Sequence, residues 1–311
     1  MQEVNKMAVI KGSLCPNITF FNEDNTINYD LCRWHMEWMF KNGVNGLFLT
    51  GSYGAGPMMT NEERISIYKL AKEVSSQFPG TFLIAHVGCA DTPSTIALAK
   101  AAEEIGVDAV GAVPPFYYTY TNDRVIEYYK EICDAVSIPV YAYNNPTTTK
   151  TTMNLAMIKK MQENGLKGVK DSSMSVAFIT SVFYDAKLNN KDFQTIIGTS
   201  TGWLPFSTMG IDTMIAGMCN YAPEIISAMY KYTMEGDMEK AEKAYAIMFN
   251  YSTKCKFVDS TIASHMILKA RGFDCGYPRK PMSLPAFDDP KYAELKQQFE
   301  EAYAAIKALE D

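Results

Sequence analysis

The sequence is poor in histidine and lacks closely spaced metal-binding residues. Its three histidines, His35, His86 and His265, lie far apart and form no H-x-x-x-H pair, and no carboxylates cluster after an apolar run. Zinc and related metals are held by closely spaced histidine, cysteine and carboxylate side chains. A metal-dependent aldolase or hydrolase therefore has little support, and neither a metal nor another cofactor is expected.

The sequence also lacks the marks of a secreted, membrane-bound or nucleic-acid-binding protein. Its seven cysteines are scattered without a C-x-x-C pair, which is typical of reduced packing residues. No apolar run approaches the length of a membrane span, and residues 1–11 contain no apolar core of signal-peptide length. The net charge is −6 and no dense run of lysine or arginine occurs. We therefore expect a cytoplasmic protein that binds a small molecule.

What the chain does contain is a regular alternation of short apolar runs and longer amphipathic runs. Eight such units follow one another, as in a parallel sheet whose strands alternate with helices. The predicted strands are 8–10 with an extension toward 19, 46–50, 82–87, 109–113, 140–143, 168–170, 195–197 and 213–216. Eight units in roughly 230 residues predict an α/β protein with the (β/α)8 TIM barrel fold, and an open doubly wound sheet is the alternative.

After residue 235 only helical patterns continue. The predicted helices cover 238–253, 255–271 and, after a proline-rich link, 292–309. We therefore expect a catalytic barrel over 1–235 and a C-terminal helical domain over 236–311. The apolar and aromatic residues of this domain are predicted to pack in its core or at a subunit contact.

Lys170 lies at the end of the sixth apolar run, where a charged side chain is unusual because the predicted strand is buried. In a barrel, the residues at the carboxyl ends of the strands form the active site. The amine either emerges into solvent and pairs with Asp171, or it points into the barrel mouth. In the second case burial lowers the pKa of the amine and leaves a neutral nucleophile for a ketone. The stretch alone leaves both alternatives open.

The loop Gly51–Pro57 follows the second predicted strand and is rich in glycine. It has neither the G-x-G-x-x-G spacing of a dinucleotide site nor the G-K-[ST] ending of a phosphate loop. Its glycines would instead let backbone N–H groups close on a small anion such as a carboxylate, while Ser52 and Tyr53 offer hydroxyls. A carboxylate-binding loop is therefore predicted here.

Three motifs have the order and spacing of one known family. They are Gly51-Ser52-Tyr53-Gly54, Tyr143-Asn144-Asn145-Pro146 and Gly168-Val169-Lys170-Asp171. Over nearly its whole length the chain resembles the dihydrodipicolinate synthase/N-acetylneuraminate lyase superfamily, and the runs 83–89, 108–118 and 279–281 look closest to the N-acetylneuraminate lyase branch. The resemblance implies a class I pyruvate-dependent lyase or aldolase in a (β/α)8 barrel with a C-terminal helical domain. It also implies a homotetramer built from two tight dimers.

By this resemblance, Lys170 matches the lysine that forms a Schiff base with pyruvate or another 2-oxo acid, without a metal. Tyr143 matches the proton-shuttling tyrosine, and Ser52 with the Tyr53 backbone matches the carboxylate-binding loop. Tyr117 matches the tyrosine that, in the synthase branch, reaches into the neighbouring subunit's site. The other residues predicted to bind substrate are Gly51, Ser172, Thr148, Gly198, Thr199, Ser200 and Ala216.

Several positions depart from the family pattern. The synthases carry an arginine where this chain has Thr148, and a threonine cannot replace the bidentate guanidinium that recognises a substrate carboxylate. Sialic acid lyases have an Asp-Glu pair just after the glycine of the seventh strand, where this chain has hydroxyl residues at 199–201. Tyr53 replaces a threonine and Ala55 a glutamate, so the phenol either supplies a different proton path or narrows the pocket.

We therefore expect a Schiff-base retro-aldolase that releases pyruvate and an aldehyde from a 2-oxo acid other than sialic acid or the lysine-pathway substrate. The hydroxyl side chains suit a short hydroxylated or neutral polar tail. The alternatives are a dehydratase of a 2-keto-3-deoxy sugar acid using the same iminium, a true dihydrodipicolinate synthase, and a non-catalytic barrel that binds a 2-oxo acid.

Overall fold

Eight parallel strands close into a barrel in the computed structural model, which describes residues 9–310. Each strand pairs with the next along the chain, and the eighth pairs with the first. The strands are β1 Gly12–Cys15, β2 Gly46–Leu49, β3 Phe82–His86, β4 Ala109–Ala112, β5 Val140–Asn144, β6 Gly168–Asp171, β7 Gln194–Ile197 and β8 Thr213–Ile215. The predicted (β/α)8 barrel is confirmed, and the open sheet is wrong.

The first strand begins later than predicted. Residue 8 lies outside the described residues, and β1 starts at Gly12 rather than near position 8. Ile10 is buried, but side chains rather than a strand ladder satisfy its backbone: Gln194 Nε2 and Thr213 Oγ1 both donate to its carbonyl oxygen, at 2.8 and 3.0 Å. An apolar run beside a barrel therefore looks like a strand in sequence without pairing as one.

Helices surround the barrel and continue beyond it. They are α1 Tyr29–Lys41, α2 Asn61–Ser75, α3 Thr92–Ile105, α4 Asn122–Ala135, α5 Pro146–Thr149, α6 Leu155–Glu163, α7 Val176–Asn189, α8 Trp203–Ser207, α9 Pro223–Glu235, α10 Met238–Lys254, α11 Ser260–Ala270 and α12 Lys291–Lys307. Local sequence fixes their ends. Thr60 and Glu63 form a capping box before α2, and Gly106 ends α3 in the left-handed conformation that glycine adopts without strain.

Two apolar layers hold the barrel together. Inside it, side chains from alternate strand positions pack on one another, and this inner cluster ends at the carboxyl edge with Phe48 and Tyr143. Outside it, the opposite strand faces pack against the helices in a second cluster that extends to Met248, Leu295 and Phe299 of the C-terminal helices. Strands buried on both faces explain the nearly continuous apolar runs of the sequence.

The C-terminal helices differ from their predicted bounds at one place that matters. A helix over 255–271 was expected, but α11 begins only at Ser260, with Asp259 as its N-cap. The connection 255–259 therefore leaves the helical path between α10 and α11. The domain boundary at 235/236 stays a prediction. Across residues 9–310, no helix is both long and apolar enough to cross a membrane.

Candidate active site

Lys170 lies inside the barrel mouth. It is the third residue of β6 and only 4% exposed. Its Nζ lies 3.9 Å from the ring centroid of Phe48 and 3.9 Å from that of Tyr143. Asp171 points the other way, as strand alternation requires, and its carboxylate accepts from Asn144 Nδ2 at 2.6 Å. The alternative of a solvent-exposed Lys170–Asp171 pair is therefore wrong.

Burial decides the charge of this amine. It lowers the pKa of Lys170, and the neighbouring Tyr143 and Cys15 oppose that change only in part. Within residues 9–310, no carboxylate lies within ion-pair distance of Nζ. A buried amine without a counter-ion favours its neutral form, which is the form that attacks a carbonyl carbon.

Tyr143 stands directly beside Lys170 in the ladder of β5 and β6. Burial raises the pKa of its phenol, but the Lys170 charge and hydrogen bonding to Ser172 and Ser52 outweigh burial, so the pKa lies below its usual value. The effects on the two groups are linked, because an amine that loses its proton no longer pulls on the phenol. Amine and phenol therefore compete for one proton.

A cavity of about 400 Å³ opens above this pair. Nine of the predicted site residues line it together. They are Ser52, Tyr53, Tyr143, Thr148, Lys170, Ser172, Gly198, Thr199 and Ser200. Gly198 is needed because a Cβ atom there would lie 2.2 Å from Ser172 Oγ. The structure thus brings the Lys170 amine, the Tyr143 phenol and the predicted carboxylate-binding loop together around one cavity.

Three predicted residues lie elsewhere. Gly51 and Ala216 are buried next to lining residues but do not line the cavity. Tyr117 is 78% exposed on the surface, where its ring meets that of Tyr118 edge-on at 5.1 Å. Within one chain, Tyr117 is therefore not part of the cavity.

The sequence reasoning missed the part of the wall that comes from the C-terminal helices. The residues it missed there are Ser252, Cys255, Lys256, Asp259, Ser260 and Ala263. The available signal was Asp259 followed by Ser260 and Thr261, since an aspartate before a helical pattern is typical of an N-cap and indicates a new helix there. The C-terminal segment is therefore part of the site and not only a packing element.

A second buried cationic side chain, that of Arg64, lies behind the predicted carboxylate-binding loop Gly51–Pro57. Arg64 of α2 is 2% exposed, and its Nη2 donates to the His86 carbonyl oxygen at 2.5 Å. Its Nη1 donates to the Gly88 carbonyl oxygen at 3.3 Å, and its Nε to Thr50 Oγ1 at 3.4 Å. Arg64 therefore fastens the carboxyl ends of β2 and β3 just before and beside Ser52.

His86 is a neutral core residue at this junction. Burial lowers the pKa of His86 well below its usual value, and the charges of Arg64 and Lys170 lower it further. Its ring packs at 5.7 Å from that of Phe48 and 6.0 Å from that of Tyr143. Among the described residues, no group of three histidine, cysteine or acidic side chains could hold a metal ion.

Comparison with known proteins agrees with this geometry. The Dihydrodipicolinate synthetase family matches residues 9–302. An uncharacterised DapA-like lyase of Halobacterium salinarum is 30% identical over 92% of each chain. The 2-dehydro-3-deoxy-phosphogluconate/2-dehydro-3-deoxy-6-phosphogalactonate aldolase of Saccharolobus solfataricus is 26% identical over 95% of this chain and 97% of its own. A variant of the Sulfolobus solfataricus 2-keto-3-deoxygluconate aldolase superposes with a TM-score of 0.84 at 26% identity, covering 96% of this chain and 98% of that one.

Proposed function

The chain belongs to the dihydrodipicolinate synthetase family and is a lyase of the class I pyruvate-dependent aldolases, and on that premise we propose that it cleaves a 2-keto-3-deoxy sugar acid into pyruvate and a hydroxylated aldehyde. The observation that carries this proposal is the buried Lys170 amine, which has a phenol beside it and no carboxylate partner within residues 9–310.

Lys170 is the nucleophile of the proposed reaction. Its neutral Nζ adds to the C2 carbonyl carbon of the substrate, and the carbinolamine hydroxyl leaves as water with a proton from the Tyr143 phenol, which gives an iminium and a Tyr143 phenolate. When the C3–C4 bond breaks, its electron pair moves into the iminium and forms an enamine. Protonation of the enamine at C3 and hydrolysis by water then release pyruvate and regenerate the amine.

Tyr143 is the proposed general acid and base. It accepts the proton of the substrate's C4 hydroxyl as that carbon becomes the aldehyde carbonyl, because its phenol lies beside the amine and has a lowered pKa. Ser52, with the backbone of its loop, is the proposed partner of the substrate carboxylate. The roles of both residues rest on their position around Nζ.

The lining of the cavity supports the choice of substrate. Thr148, Thr199 and Ser200 offer hydroxyls where a lysine-pathway or sialic acid substrate would call for an arginine or an acidic pair. Hydroxyl groups suit the hydroxylated tail of a sugar acid. Two of the similar proteins are aldolases of 2-keto-3-deoxy sugar acids by name.

Tyr117 is proposed to act between subunits of a homotetramer. A second pocket of about 270 Å³ lies beside Ser52, and its walls are largely apolar, with Pro57, Val113 and Phe116 among them. Such walls suit an aromatic ring. The exposed Tyr117 of a neighbouring subunit is the proposed occupant, and loss of the tetramer in size-exclusion chromatography of Tyr117→Asp would support this arrangement.

The test uses pyruvate and sodium borohydride. We expect mass spectrometry of the digested protein to find a reduced pyruvate adduct on Lys170, and none in Lys170→Ala. Lys167→Ala, which removes another lysine from the same segment, is the matched control and should be labelled like the wild type. Absence of an adduct from the wild-type protein would contradict the enzyme mechanism.

Products separate the proposed aldolase from its alternatives. Incubation with 2-keto-3-deoxygluconate should release pyruvate and glyceraldehyde in equal amounts. Loss of water with all carbons retained would identify the dehydratase. An adduct on Lys170 without turnover of any 2-oxo acid or aldehyde in the panel would identify a binding protein.

A further inference from the structure

In the predicted carboxylate-binding loop, Tyr53 is the largest departure from the family pattern, and the structure shows the position of its ring. The phenol lies against Gly217, at the end of β8. A Cβ atom built on Gly217 would be 2.2 Å from Tyr53 Oη and 2.3 Å from its Cζ. Glycine is therefore the only residue at 217 that leaves room for this ring.

The hydroxyl of Tyr53 reaches the C-terminal helices. It faces Ser260, the first residue of α11, across the same cavity. Tyr53, Gly217 and Ser260 all line the cavity above Lys170. The ring therefore joins three parts of the cavity wall: the loop after β2, the end of β8 and the connection between α10 and α11.

The ring cannot easily withdraw, because the loop that carries it is fixed. Gly56 N donates to the Gly51 carbonyl oxygen at 3.1 Å, and Thr19 Oγ1 donates to the Gly54 carbonyl oxygen at 2.8 Å. Thr50, just before the loop, is held by Arg64. The loop backbone therefore holds the ring at the cavity wall, where it takes up volume that a smaller side chain would leave to a substrate.

A role in proton transfer fits Tyr53 less well. Burial raises the pKa of its phenol to about 12, against the opposite effect of the Ser260 hydroxyl. A proton carrier works best with a pKa near the working pH, which favours Tyr143 rather than Tyr53. Of the two roles open to a phenol at this position, the structure supports narrowing of the pocket.

Resting on the proposed function, we propose that Tyr53 is a specificity-determining residue: its ring, packed against Gly217 and facing Ser260, limits the length of the aldehyde part of the substrate. In a pocket without this ring, longer aldehydes gain room. Changes of one to a few carbon-sized groups in a pocket alter kcat/KM by about 10- to 200-fold.

The test measures kcat/KM for condensation of pyruvate with glycolaldehyde, glyceraldehyde, erythrose and arabinose. We expect Tyr53→Thr to raise the ratio for arabinose over glyceraldehyde by about tenfold or more. Tyr53→Phe keeps the ring and should keep the wild-type ratio within about threefold, whereas an unchanged ratio in Tyr53→Thr would overturn the proposal. If Tyr53→Thr does not fold, Tyr53→Leu should raise the ratio of arabinose to glyceraldehyde by a smaller factor. An unchanged ratio in that variant would also overturn the proposal.

Gly217 gives an independent test of the same contact. Gly217→Ala should lower kcat/KM for all four aldehydes in the wild-type background, because the new methyl group collides with the phenol. The same change in the Tyr53→Thr background should cost much less, since the ring is gone. Equal losses in both backgrounds would overturn the proposal.

Borohydride trapping with pyruvate separates failure of this inference from failure of the proposed function. If wild-type protein forms no adduct on Lys170, the proposed function fails and the inference falls with it. If wild-type protein and variants all form the adduct but the length preference does not move, only the inference fails.

Discussion

The protein buries two cationic side chains at the mouth of its barrel, and it treats them in opposite ways. Arg64 is surrounded by acceptors, with the His86 and Gly88 carbonyl oxygens and Thr50 Oγ1 around its guanidinium. Lys170 has the faces of Phe48 and Tyr143 instead. Within the part of the chain that the structure describes, neither forms an ion pair with a carboxylate.

The difference follows from what each group can do with its proton. A guanidinium stays charged at any ordinary pH, so a buried one must have its donors satisfied, and it then serves as a rigid clamp. A buried ammonium can lose its proton, and aromatic faces suffice once it is neutral. We therefore propose that the Arg64 region stabilises the structure and that the Lys170 region carries the chemistry.

The strongest test of this difference replaces the Lys170 amine with a guanidinium. Lys170→Arg should lower the rate of pyruvate release by on the order of 10⁴-fold or more, because a guanidinium does not attack a carbonyl carbon. The measurement is pyruvate formation from the sugar acid, together with borohydride trapping. A trapped adduct at another lysine, with activity retained, would remove Lys170 from its proposed role.

Removing the phenol tests what makes the lysine reactive. Tyr143→Phe should lower kcat by about 10²- to 10⁴-fold, which is the usual contribution of a positioned acid or base. Pyruvate should still be trapped on Lys170, more slowly, because the amine is intact. Loss of less than about threefold in kcat would show that another group moves the proton.

Replacement of Arg64 should affect the stability of the protein more than its catalytic rate. Arg64→Met leaves the Gly88 carbonyl oxygen without its donor, while the His86 carbonyl oxygen keeps the Tyr68 hydroxyl at 2.6 Å. The variant should therefore lower the free energy of unfolding by about 1–3 kcal/mol, the usual cost of one unsatisfied buried group. Because Ser52 lies next to the clamp, kcat/KM should also fall by about tenfold. Urea unfolding and steady-state kinetics measure the two effects.

A surface arginine gives the matched control for this variant. Arg33 pairs with Glu73 at 2.9 Å on the exposed side of α1, so Arg33→Met should change the unfolding free energy by less than about 1 kcal/mol. Arg64→Lys keeps the charge but not the forked geometry, and should recover only part of the loss. Equal stability of the Arg64 and Arg33 variants would contradict the clamp.

The two regions were unequally visible in the sequence. The barrel follows from apolar periodicity. The meeting of Lys170, Tyr143 and the loop Gly51–Pro57 at one edge follows from the family resemblance, because strand ends in a barrel must meet at one edge. The clamp was not predicted, since Arg64 belongs to an amphipathic helix and nothing nearby marks it as buried. Its partners are carbonyl groups, which every residue has.

The contribution of the C-terminal segment was missed for a related reason. The positions of Lys256 and Ser260 over the mouth depend on how α10–α12 pack against the barrel, which periodicity does not specify. The position of the Tyr53 ring likewise depends on Gly217, 164 positions away in the sequence. Local sequence patterns do not predict a steric contact between residues this far apart.

The smallest expected effect is the pH dependence that distinguishes the two cations directly. Because burial lowers the pKa of Lys170, the folded protein binds fewer protons than the unfolded chain between that lowered pKa and the value near 10.4 of a free lysine. The free energy of unfolding should therefore rise with pH across this window, by at most about 1.4 kcal/mol per unit of pKa difference. Lys170→Met should remove that rise, as measured by urea unfolding at a series of pH values, while Lys167→Met should retain it. A pH slope that survives in Lys170→Met but disappears in Arg64→Met would reverse the roles assigned to the two cations.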